Sequence, residues 1–77
     1  MDINIIKENL EKEYQCQFIA IMNYAGHHFA KTFMTEQEKV SYRYFKVLEN
    51  NTVEEVTNEL LLAYLKEMNE IHEEINY

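Results

Sequence analysis

Apolar residues recur along the chain at spacings of three and four, the period of an α-helix rather than of a strand. Ile3, Ile6, Leu10, Tyr14, Phe18, Ile21, Ala25 and His28 form one such stripe, with Asp2 or Asn4 available as its N-cap. Gly26 suits either a helix end or a helix interior. With no other breaker before Thr35, the spacing predicts one helix over about 3–30. Thr35-Glu36-Gln37-Glu38 reads as a capping box, opening a second helix over 36–49 whose Val40, Tyr44, Val47 and Leu48 point inward. Asn50 and Asn51 mark a turn, and Thr52-Val53-Glu54-Glu55 is another capping box, opening a third helix over 53–75. Val53, Val56, Leu60, Tyr64, Ile71 and Ile75, flanked by Leu61, Leu65 and Met68, give that helix an apolar arc of roughly 200°, wide enough for two neighbours.

The pattern therefore predicts an all-α single domain over 1–77, a three-helix chain with two long helices and a short middle one. At ~1.5 Å per residue the long helices run about 35–40 Å and the short one about 20 Å, so the short helix cannot cover both. A two-fold homodimer, a dimeric helical bundle, is the economical completion. Cys16, Ile19 and Ala20 lie behind the first stripe and make Cys16 to Met22 apolar nearly all round, which marks them as dimer-interface candidates.

Charge changes the picture next. The net charge is −7, and it is unevenly placed. Residues 1–31 carry four acids and three bases, residues 32–51 three of each, and residues 52–77 seven acids and one base, Lys66. Such a chain has no basic footprint for direct nucleic-acid binding. A superficial helix-turn-helix reading of Thr52 to Leu60 fails as well, because Leu61-Leu62-Ala63 stands where the turn belongs and Lys66 is set among Glu67 and Glu70. The acidic face of the last helix, with Glu55, Glu59, Glu70 and Glu73 around Leu62, reads instead as a partner-binding surface for a protein with a basic surface. Tyr42 and Phe45, off the inward stripe of the middle helix, join that candidate set. Lys39, Arg43 and Lys46 form a basic stripe at helical spacing, solvated or paired with acids at about 0–1 kcal/mol each.

Candidate chemistry is thin. Cys16 is the single cysteine, so no intrachain disulfide forms, and the chain suits a reducing, cytoplasmic setting. The N-terminal residues show no basic-then-apolar leader, and the longest strictly apolar run, Phe18 to Met22, is far too short to span a bilayer, so no membrane insertion is expected. The residues three positions before His27, His28 and His72 are Tyr24, Ala25 and Asn69, so the Glu-x-x-His pattern of helical metal sites is absent. One glycine cannot build a phosphate loop, and nothing in the sequence sets a base beside Cys16. No catalytic, cofactor-binding or metal residue is expected, and no enzyme. The expectation is a small acidic regulator or inhibitor that docks on another protein through a helix face. A self-assembling helical bundle and a bacteriocin-immunity-type protein are the alternatives. Richness in Ile, Asn, Lys, Glu and Tyr suits an AT-rich genome such as that of a low-GC bacterium or its phages.

Overall fold

In the computed structural model, residues 1–75 are described, with side chains described for residues 1–68. The fold is not an all-α bundle. It is a four-stranded antiparallel sheet with one helix on each face, in the order α1 (Ile3–Tyr14), β1 (Gln17–Tyr24), β2 (His27–Glu36), β3 (Lys39–Val47), β4 (Val53–Glu55) and α2 (Glu59–Ile75). The strands form a simple meander, β1-β2-β3-β4, and a 3-10 turn over Glu49–Asn51 joins β3 to β4.

The predicted helix over 3–30 begins as expected and stops early. Asp2 caps α1, its Oδ1 accepting from the N–H groups of Asn4 at 3.0 Å and Ile5 at 3.4 Å. Gln15 then takes a left-handed conformation, φ 58° and ψ 32°, and its N–H closes on the Leu10 carbonyl. The chain leaves the helix there, and the aromatic and β-branched residues that follow favour a pleated surface. The predicted helix over 36–49 is absent as well. Gln37 and Glu38 have φ of 50° and 65°, and Ala25 and Gly26 have φ of 52° and 78°. Two consecutive left-handed residues form the two-residue connection whose twist matches a β-hairpin. What reads as a capping box at Thr35–Glu38 is thus the β2–β3 hairpin loop, closed by the neighbouring pair Glu36 and Lys39. The third predicted helix loses its first turn and a half. Thr52 ends the 3-10 turn and Glu55 lies in β4. Asn58 opens α2, with its Oδ1 accepting from Leu61 N–H and its carbonyl from Leu62 N–H, both at 3.0 Å.

Each face of the sheet has its own core. Ile6 and Leu10 of α1 pack with Cys16, Ala30 and Phe45, and the rings of Tyr14 and Phe45 meet at 4.7 Å between centroids. On the opposite face Leu65 of α2 packs with Met22, Phe29, Tyr44 and Val56, supported by Leu61, Leu62 and Met68. Full burial of an aliphatic side chain such as Leu10 or Leu65 contributes about 1.5–3 kcal/mol relative to exposure. Between the two cores, Thr32 is fully buried, and its hydroxyl donates to the Arg43 carbonyl at 2.9 Å. A register slip between Phe18 and Ala20 makes Ile19 the extra residue of a bulge in β1. The slip sends Phe18 to the α1 face, opposite Thr32, and Ala20 to the α2 face, opposite Lys31. Asn51 ties α1 down, accepting at Oδ1 from Asp2 N–H (2.7 Å) and at its carbonyl from Asn9 Nδ2 (3.0 Å).

Candidate interaction surface

The two faces of the sheet are finished differently. On the α1 face, β3 and β4 present Arg43 and Glu55 beside the core, and the two form a bidentate ion pair at 2.8 and 2.5 Å. The same guanidinium donates to Cys16 Sγ at 3.5 Å and lies 5.6 Å from the Tyr14 ring and 5.4 Å from the Phe45 ring. Its hydrogen bonds hold the Glu55 carboxyl below the usual carboxylate range, and those to Glu55 raise Arg43 further above its already high value. This cluster closes the α1 face internally, and it uses up Glu55 as a free acid. An open concavity of about 490 Å³ beside it is lined by Lys7, Glu11, Gln15, Cys16, Gln17 and Phe18.

The described side chains of α2 cover only part of the opposite face. They pack over the end of the sheet that holds Met22, Phe29 and Val56. Toward the β2–β3 hairpin, the same face carries Lys31, Phe33, Val40 and Tyr42, which the pairings Phe33 with Tyr42 and Thr35 with Val40 place side by side. Val40 is 55% exposed and Tyr42 is 52% exposed. Lys31 is only 7% exposed, and its Nζ sits 4.8 Å from the centroid of the Tyr42 ring. No carboxylate pairs with Lys31 among the described residues, where the Tyr42 ring stands beside its ammonium.

The outer side of α2 is the second exposed feature. Leu61, Leu62, Leu65 and Met68 turn toward the sheet, which leaves Glu59, Leu60, Ala63 and Glu67 on the opposite side. Leu60 is 64% exposed, and Tyr64, one turn on, is partly exposed and stacks on Tyr24 at 6.0 Å.

The residues singled out from the sequence fall as follows. Glu59 is exposed on α2, as an acidic contact surface requires. Leu62 is half-buried against the sheet, and the apolar residue standing among the acids is Leu60. Tyr42 is exposed on the sheet, whereas Phe45 is fully buried under α1 and is not available to a partner. Glu55 is committed to Arg43. Glu70 and Glu73 lie outside the residues whose side chains are described, as does His72. Of the dimer-interface candidates, Cys16 is buried in the α1 core, while Ile19 and Ala20 are exposed on β1, an edge strand. The structure thus brings Lys31 and Tyr42 together and separates Phe45 and Glu55 from them on the other face. Lys31 carried one signal that sequence reading passed over. It is a lone base inside an otherwise uncharged run, Phe29 to Thr35, flanked by aromatics.

Among the described residues no group of His, Cys, Asp and Glu could hold a metal ion, and no helix is long and apolar enough to cross a membrane. The chain matches no protein-family profile, no curated protein and no solved structure.

Proposed function

We propose that this protein is a non-enzymatic, protein-binding regulator that docks through the outer side of α2, with Leu60 as the apolar anchor and Glu59 and Glu67 as its charged flanks. The observation that carries the reading is Leu60, a leucine 64% exposed on a helix whose other described leucines turn to the sheet. A lone exposed leucine is ordinary on its own. Here Tyr64 continues the apolar surface at the next turn, and acids border it, the layout of an anchor with a charged rim. Such a surface fits a partner offering an apolar recess beside basic side chains, and the charges would act mainly on association rate and partner choice. The test is affinity capture with the tagged protein and its Leu60→Glu variant from nuclease-treated host lysate. A partner recovered near stoichiometry by the parent and lost with Leu60→Glu, at unchanged circular dichroism, supports the reading. Equal recovery by both proteins refutes it.

A further inference from the structure

The two exposed features of the α2 face are complementary to each other. One is a patch with a lysine that no carboxylate pairs among the described residues, an exposed tyrosine and an exposed valine. The other is the outer side of α2, with an exposed leucine between glutamates. Both belong to the same side of the molecule, since α2 rests on one half of the sheet face and the patch is the other half. Within one chain they cannot meet, because the outer side of α2 points away from its own sheet.

We infer that the partner of the α2 surface is a second copy of this chain, and that two copies close face to face about a two-fold axis that runs parallel to the sheets, between them. The α2 of each lies on the open half of the other, setting Glu59 and Glu67 against Lys31, and Leu60 against Val40 and Tyr42. This rests on the proposed α2 docking surface and names its occupant. Two-fold symmetry makes both contacts at once and leaves neither surface over, so the assembly closes at two copies instead of growing into a filament. Charge selects this arrangement over patch-on-patch or helix-on-helix pairing. Patch-on-patch pairing would bring two Lys31 ammonium groups together, and helix-on-helix pairing would oppose glutamates. Lys31, only 7% exposed, has little surface left to lose to a partner when a carboxylate arrives, which favours a net gain from the pair.

The experiment is sedimentation velocity on the full chain and on two charge variants, Lys31→Glu and the double variant Glu59→Lys with Glu67→Lys. The parent is expected to be a dimer in the micromolar range. Each variant alone sets like charges against each other at both contacts and should dissociate at least ten-fold more readily. An equimolar mixture of the two restores opposite charges at both contacts, and a heterodimer should re-form with near-parental affinity. That re-formation also proves that both variants are folded. Tyr42→Ser, at an exposed position, should weaken the parent dimer without loss of helicity. A parent that stays monomeric at 200 µM, taken as about the upper end of a weak but specific contact, overturns the second-copy assignment. The α2 docking surface would then still be judged by the Leu60→Glu capture. A dimer that none of the substitutions weakens also overturns it, and places the contact elsewhere on the chain.

Discussion

The β2–β3 hairpin loop offers a change whose sign separates the fold seen here from the helix its sequence suggests. Gln37 and Glu38 both sit at positive φ, 50° and 65°, and both side chains are exposed. An L-residue held in the left-handed region carries roughly 1–2 kcal/mol of steric cost. Glycine at position 38 removes that cost, at the expense of about 0.5–1 kcal/mol of extra chain entropy in the unfolded state. Asparagine at 37 tolerates the conformation better than glutamine and adds a few tenths of a kcal/mol. Gln37→Asn combined with Glu38→Gly therefore gains about 1 kcal/mol, which in a domain of this size raises Tm by about 4–8 °C. In a helix over 36–49 the same pair would cost a total of about 1–2 kcal/mol, most of it at the glycine. Thermal unfolding followed by far-ultraviolet circular dichroism, repeated in urea, reads the sign directly. A lowered Tm would refute the hairpin.

Three further outcomes follow from the packing and the charges. Leu65→Ala removes the fully buried anchor of the α2 core and should cost about 2–5 kcal/mol, comparable to the whole stability of a domain this small, so urea titration should find it largely unfolded at 25 °C. Asn58→Ala deletes the N-cap of α2 and should cost about 1 kcal/mol in the same titration, and no measurable loss would mean that Asn58 is not the cap. The Arg43 hydrogen bonds lower the Glu55 carboxyl from its ordinary 4.5, so the pair stabilises the fold fully above about pH 4.5 and loses that contribution as pH falls through the lower folded-state value. Stability curves of the parent and Glu55→Gln should accordingly differ at pH 6 and converge toward pH 2, and a constant gap would show that the pair contributes nothing.

The sequence announces the ends of this fold more clearly than its middle. Asp2 caps α1, and the stripe Ile3, Ile6, Leu10 turns toward the sheet at Ile6 and Leu10, because these residues form a real amphipathic helix over its first three turns. Leu61, Leu65 and Met68 likewise mark the inner side of α2. The middle misleads for a physical reason. A sheet covered on both faces needs apolar residues on both, so the alternation that identifies a half-exposed strand disappears. Phe29 to Thr32 are four consecutive buried residues, and no period of two survives there. With aromatics and β-branched residues dense over 17–47, spacings of three and four arise by chance along strands. The better signals were that density itself and the Ala25-Gly26 step between two apolar runs. Burial assigned from the wrong element then displaced the site as well. Phe45 looks exposed on a helix, but it is a fully buried residue of β3 in the core under α1.

A three-layer domain of this length divides a small apolar supply between two cores, each with five buried residues among those described, and leaves Val40 and Tyr42 exposed on one sheet face. If a second copy covers them, folding and association are linked, and the stability of the chain becomes a function of its concentration. Mass action then predicts that raising the protein from 2 to 200 µM, concentrations chosen to bracket a micromolar dissociation constant, stabilises the folded state by up to roughly 2–3 kcal/mol. In a domain this small that corresponds to a Tm rise of up to about 8–24 °C. The dependence should shrink in Lys31→Glu and return when that variant is mixed with the Glu59→Lys, Glu67→Lys chain. Calorimetric scans across this range give the answer without any knowledge of a foreign partner. A Tm independent of concentration in the parent would mean that this part of the sheet is stable in water with no second copy over it, Lys31 lying beside the Tyr42 ring of its own chain.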